Sequence, residues 1–175
     1  MQQRLKWATV FGIVCLFFSV SLSAQTFVDF RAAGSGRVVT NCVHTLSSGC
    51  SVTGTGTVSG TPITAASSIT LRTDAGSPTS VNGPPQGICV PASGLGAITE
   101  IGGSVLNFNV VGTLCEEGAS SGPYHFKGSY RLTGGTGRFV NAIGVGSISA
   151  AYTREGTFTR GSGDASYSID GSISF

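Results

Sequence analysis

The sequence predicts an all-β protein: a single antiparallel barrel of about eight strands, with a β-sandwich as the alternative, behind a cleaved N-terminal signal helix. Three observations point there. After residue 25 no stretch keeps a helical period with caps, whereas period-two alternation of apolar and polar residues is widespread. Clusters of glycine separate the alternating runs, as tight turns require. Only 10% of residues are charged, so Gly, Ser and Thr must carry the surface, a composition suited to short strands and many turns. The barrel is favoured over the sandwich because closure removes exposed strand edges.

Residues 1–24 read as a secretory leader. Arg4 and Lys6 supply a positive start, Trp7 to Val20 is apolar, and Ser21-Leu22-Ser23-Ala24 offers small residues to a signal peptidase. The apolar run is shorter than the ~20 residues a spanning helix needs. Cys15 lies inside it in a poor lipoprotein context, so no lipid anchor is expected. The mature domain is therefore residues 25–175, one unit, secreted or periplasmic. Of ten basic residues two lie in the leader, leaving eight against eight acidic ones and no net charge. A cationic stripe is missing, which argues against nucleic acid as a partner.

Four cysteines remain after cleavage: Cys42, Cys50, Cys89 and Cys115. An even number in an exported chain reads as two disulfides with three connectivities open, of which Cys42–Cys50 and Cys89–Cys115 are favoured. A metal site made of Cys42, His44 and Cys50 is the weaker reading, since the spacing matches no common zinc pattern. The expectation is no metal and no cofactor.

Strands are expected at Thr26 to Phe30, Arg37 to Cys42, Cys50 to Val58 and Ser67 to Arg72. Thr73 to Gly87 follows as a long unpatterned stretch, of a length uncommon in a compact domain unless functional or mobile. Gly94 to Ile101 and Ser104 to Leu114 flank a Gly102-Gly103 hairpin. In the second run Leu106, Phe108, Val110 and Leu114 share a face. Tyr124 to Leu132 alternates Tyr, Phe, Tyr and Leu against His125, Lys127, Ser129 and Arg131. A glycine turn at residues 134–137 leads to a strand from Arg138 to Tyr152. In the last run, Ala165, Tyr167, Ile169, Ile173 and Phe175 share one face and serines most of the other.

The run Tyr130-Arg131-Leu132-Thr133-Gly134-Gly135-Thr136-Gly137-Arg138-Phe139, followed by Ala142 and Gly144, resembles the strand–turn–strand of the allene oxide cyclase and dirigent barrel families. The wider stretch from Leu114-Cys115-Glu116-Glu117 through Pro123-Tyr124-His125-Phe126 to Phe139 is also similar to a group of uncharacterised exported bacterial proteins. The barrel-family resemblance covers some twenty residues. It implies an eight-stranded barrel whose apolar cavity holds a lipid-derived or phenolic molecule and guides its cyclisation or coupling. The matching positions are turn and core residues, so no catalytic residue carries across, and the four cysteines depart from that pattern. Fold transfers further than activity.

The glycine clusters lack the Lys-Ser/Thr and the helix of a phosphate loop, and no Gly-x-Ser-x-Gly elbow occurs. His125, oriented by Glu116 or Glu117, is the candidate for acid–base catalysis. Against it, His125 shares a polar strand face with Lys127 and Arg131, which reads as solvent-facing. Phe108, Tyr124, Phe126 and Tyr130 are candidate linings of an interior wide enough to be filled by side chains or to hold one small ligand. The leading functional expectation is non-catalytic binding of a small apolar molecule. An isomerase or cyclase in the same cavity is one alternative. A structural or adhesive cell-envelope protein is the other. Phe175 with Ile173, Ile169 and Tyr167 behind it also resembles the end of a small outer-membrane barrel. The cysteines and Ser/Thr-rich faces argue against membrane insertion. The oligomeric state is left open.

Overall fold

The structure is a computed structural model and describes residues 25–41, 50–63, 67–75, 88–116, 123–153, 155–157 and 160–175. The leader, Cys42, His44, Glu117 and most of the unpatterned stretch after Thr73 lie outside the described residues. Nine strands follow in chain order: β1 Val28–Asn41, β2 Cys50–Thr61, β3 Ser67–Ala75, β4 Ile88–Thr99, β5 Val105–Glu116, β6 Tyr124–Gly135, β7 Ile143–Tyr152, β8 Glu155–Thr157 and β9 Arg160–Ser174.

Each strand from β1 to β6 pairs antiparallel with the next, β7 pairs with β9, and β9 returns to β1. That last ladder, from Val28↔Ile173 to Asn41↔Arg160, closes the sheet and rules out the sandwich. The short β8 does not add a ninth stave. Tyr152 pairs with Ala165 and Glu155 with Ser162, so β8 continues β7 in the same register after Thr153, whose N–H donates to the Asp164 carbonyl at 3.0 Å. The ring is thus a closed eight-stranded antiparallel barrel with an up-and-down path.

Alternation decides what faces inward. Phe30 and Val38 on β1, Ile69 on β3, Ile98 on β4, Leu106, Phe108 and Leu114 on β5, Tyr130 on β6, and Tyr167, Ile169 and Ile173 on β9 are all buried. Between them stand outward residues such as Arg37, Thr55, Arg72, Asn109, Lys127 and Asp170.

Two expectations about elements are corrected. Thr26–Phe30 and Arg37–Cys42 are not separate strands, because β1 runs unbroken through Gly34-Ser35-Gly36. These glycines serve close approach: a Cβ at Gly34 or Gly36 would run into the β2 backbone at Thr57 or Thr55. Such glycines let a strand bend in a tight barrel. The strand expected from Arg138 instead begins at Ile143, since Gly137–Phe139 forms a 3-10 turn that drives Phe139 into the core.

The β4–β5 turn is the glycine hairpin expected. Gly103 has φ +82° and its N–H donates to the Glu100 carbonyl at 2.8 Å, while the Glu100 N–H donates to the Ser104 carbonyl at 2.9 Å. In the β6–β7 turn Gly134 and Gly137 hold φ of +88° and +59°.

Candidate functional site

The interior is built by large rings lying over inward-facing glycines. Tyr130 on β6 is in register with Gly146 on β7, Gly146 with Gly171 on β9, and Gly171 with Phe30 on β1. The Tyr130 ring follows this row: a Cβ on Gly146 would sit 2.7 Å from Tyr130 Cε1, and one on Gly171 would meet its hydroxyl. The ring then meets Phe30 edge-on at 5.8 Å and Phe108 at 6.3 Å. Edge-to-face pairs of this kind contribute about 0.5–1.5 kcal/mol beyond area burial. Phe108 in turn lies over Gly96, its register partner on β4. Tyr167 reaches past Gly54 and donates to the Thr55 carbonyl at 3.4 Å.

All four residues expected to line a ligand cavity, Phe108, Tyr124, Phe126 and Tyr130, lie buried in this interior. They meet protein. The space left between Val38, Leu71, Leu114, Phe126 and Tyr152 is about 20 Å³. That is room for roughly one water, whereas small-molecule pockets measure roughly 300–1,000 Å³.

Burial also acts on the phenols. The Tyr130 hydroxyl is enclosed and has no hydrogen-bond partner among the described residues. Desolvation first, and the negative charge of Asp170 second, push its pKa up to about 12. Burial likewise raises that of Tyr167.

One end of the barrel is locked by a residue that sequence reasoning missed. Arg138, on the 3-10 turn, makes a two-pronged ion pair with Glu100: Nε donates to Oε2 at 2.9 Å and Nη2 to Oε1. Nη2 also donates to the Pro62 carbonyl at 2.6 Å, so one side chain joins the β2–β3, β4–β5 and β6–β7 connections. Its guanidinium lies over the rings of Phe139 and Phe175, 4.5 and 5.3 Å from their centroids. Glu100 is buried. Its signal was present in the sequence: it continues the inward parity of Val90, Ala92 and Ile98, and a carboxylate on a core face demands a cation. Phe175, which had suggested an outer-membrane strand end, packs edge-on against Phe139 at 5.4 Å as part of this closure. The alternating Tyr167, Ile169 and Ile173 point inward.

At the opposite end Glu116 is buried and accepts a hydrogen bond from the Tyr124 hydroxyl at 3.1 Å; the Tyr124 ring stacks on Tyr152 at 4.9 Å. Glu116 therefore faces inward, while His125, opposite Cys115 and Ala151, is on the outer face. The structure does not bring His125 and Glu116 together as an acid–base pair, and Glu117 lies outside the described residues. Lys127 and Arg131 share the outer face with His125 and are exposed. A shallow depression of about 210 Å³ starts at His125 and Lys127 and runs over Ser149, Ala151, Ser166 and Ser168.

Cys89 and Cys115 are in register on β4 and β5 and are joined by a disulfide, with Cα atoms 4.1 Å apart. The Cys42–Cys50 pairing falls outside the described residues because Cys42 does; Cys50 is buried at the head of β2. Among the described residues no group of three or more His, Cys, Asp or Glu side chains could hold a metal, and no helix is long and apolar enough to cross a membrane.

Fold and site together define a class: a closed eight-stranded antiparallel barrel with an apolar interior and a cross-strand disulfide. Comparison with protein-family models, with curated proteins and with solved structures finds no match for the chain.

Proposed function

We propose that the mature chain is an exported, non-catalytic barrel that acts through its outer surface, as a structural or adhesive component of the cell envelope. The observation that carries this reading is the close packing of the described interior: the space among Val38, Leu71, Leu114, Phe126 and Tyr152 is about 20 Å³, too small for an apolar ligand. The inside-out arrangement of side chains supports a water-facing setting. A membrane barrel turns apolar residues to lipid and polar ones to its lumen. Here Arg37, Arg72, Lys127 and Asp170 are on the outside, and Phe30, Ile69, Ile98 and Ile169 within. The disulfide fits an oxidising compartment.

The test is uptake of the fluorescent apolar probe N-phenyl-1-naphthylamine by the purified mature protein, combined with cell fractionation. The expected result is no saturable uptake and recovery from envelope fractions without detergent. Saturable uptake lost in Phe108→Ala or Tyr130→Ala, but kept in His125→Ala, would return the case to a barrel that binds a small apolar molecule. A turnover abolished by His125→Ala would establish an enzyme. Recovery only from detergent-extracted outer membrane, with heat-modifiable gel mobility, would establish a membrane barrel.

A further inference from the structure

The Cys89–Cys115 bond joins two strands that are already paired along their whole length, from Ile88↔Glu116 to Thr99↔Val105, and closed at the far end by the Glu100–Ser104 turn. Register does not depend on it. Both cysteines project from the outer wall and are only partly covered, so the bond is within reach of solvent. Accessible disulfides of this kind are the ones open to exchange, whereas enclosed ones resist it.

What lies beside it is specific. Cys115 is in register with His125 on β6, and the neighbouring pair is Thr113↔Lys127. In-register side chains stand roughly 4.5–5.5 Å apart at Cβ and diagonal ones roughly 7–8 Å. The outward groups around Cys115 and His125 are Pro91 on β4, Thr113 on β5, Lys127 on β6, and Ser149 and Ala151 on β7. Among the described residues of this set Lys127 carries the fixed charge, and the Glu116 carboxylate is turned into the barrel; Glu117 lies outside the described residues. On the far side of His125 begins the 210 Å³ depression, lined by Lys127, Ser149, Ala151, Ser166 and Ser168 among others. It lies one strand from Cys115, about 4.8 Å. Because Cys89 and Cys115 are directly opposite, their bond runs across the strands, and its extension beyond Cys115 points toward His125 and the depression.

We propose that Cys89–Cys115 is a thiol–disulfide exchange site for a small anionic thiol, which docks in the depression beside His125 and Lys127. The thiol loses its proton to the His125 imidazole or to solvent. Its thiolate attacks Cys115 Sγ from the β6 side, in line with the existing bond. The bond between the two cysteine sulfurs breaks and its electron pair leaves on Cys89 Sγ, so that Cys115 carries the mixed disulfide. A second thiolate attacks the small-molecule sulfur of that mixed disulfide, and the pair leaves on Cys115 Sγ. Two small thiols are oxidised to one disulfide and the cysteine pair is reduced to two thiols, which take up the two protons. A small disulfide drives the reverse sequence.

The experiment uses oxidised mature protein in native buffer, with glutathione as the anionic thiol and 2-mercaptoethanol as the neutral one, compared at equal thiolate concentration. Alkylation and peptide mapping follow Cys89 and Cys115 separately from Cys42 and Cys50, and circular dichroism checks that each protein stays folded. The expected result is reduction without unfolding, a first trapped adduct on Cys115, and a preference for glutathione. Lys127→Glu should cut the glutathione rate by about ten-fold, an effect of local charge on encounter, and spare the 2-mercaptoethanol rate. Lys127→Arg should retain the preference. The proposal is overturned if the pair resists both thiols until denaturant opens the barrel, if the first adduct sits on Cys89, or if the folded Lys127→Glu protein reacts with glutathione like the wild type.

Discussion

Tyr130→Phe isolates one atom at the centre of the barrel. The Tyr130 hydroxyl is buried over Gly171 and has no partner among the described residues. Leaving a buried hydroxyl unsatisfied costs about 1–3 kcal/mol. Removing it should therefore stabilise the protein at neutral pH, toward the lower end of that range because a small void replaces the oxygen. Each kcal/mol corresponds to about 2–4 °C in Tm for a chain of this size. The alkaline limb supplies an independent readout. Below pH 10 the folded and unfolded states both keep the phenolic proton. Between pH 10 and about 12 the unfolded state ionises while burial holds the folded one neutral, so stability falls across that window. Two pH units correspond to at most roughly 3 kcal/mol. The wild type should lose stability steeply there. Tyr130→Phe should follow a shallower limb, with a remainder from Tyr167, whose pKa burial also raises. Urea unfolding at pH 7 and from pH 9.5 to 12 measures both effects. A loss of more than about 1 kcal/mol at pH 7 would show that the hydroxyl is engaged. An unchanged alkaline limb would show that Tyr130 is not desolvated, and either result refutes the reasoning.

The rings over glycine give a second test. Gly96→Ala should cost about 1–3 kcal/mol by forcing a methyl into the Phe108 ring, and the cost should shrink in a Phe108→Ala background, as a double-mutant cycle would read. Arg138→Ala removes the two-pronged partner of buried Glu100 and should cost roughly 2–4 kcal/mol, less than for a wholly enclosed pair because the Arg138 side chain is 36% exposed. Arg138→Lys should not rescue it, since one ammonium cannot hold both carboxylate oxygens and the Pro62 carbonyl. Gly134→Ala and Gly137→Ala, both at positive φ, should each lower stability by more than about 1 kcal/mol in a thermal scan. Non-reducing peptide mapping should recover Cys42–Cys50 beside Cys89–Cys115; a Cys42–Cys115 peptide would contradict both pairings.

Much of the barrel was legible in local pattern. The alternation in Ser104–Leu114 and Tyr124–Leu132 put Phe108, Tyr124, Phe126 and Tyr130 on one wall face, and all four are buried. Gly102-Gly103 announced its hairpin because a positive φ at Gly103 is what that turn demands. Between the strands expected at Thr26–Phe30 and Arg37–Cys42, Gly34 and Gly36 give the room a continuous β1 needs beside the β2 backbone. Gly146 and Gly171 likewise make room for neighbouring-strand backbone and for the Tyr130 ring. His125 and Glu116 looked like partners from their place around one loop. The parity of adjacent paired strands puts them on opposite faces of the wall.

By itself, the sequence determined which face of each strand is apolar, where the tight turns fall and that the class is all-β, because those properties follow from neighbours a few residues apart. The tertiary structure alone decided that β9 returns to β1, that Phe30, Phe108 and Tyr130 meet one another inside the ring and that Arg138 locks one end. It also decided that His125 stands beside Cys115 on the outer wall. Each of these depends on side chains meeting across strands distant in sequence, and their volumes and charges are tested against one another only when the ring closes.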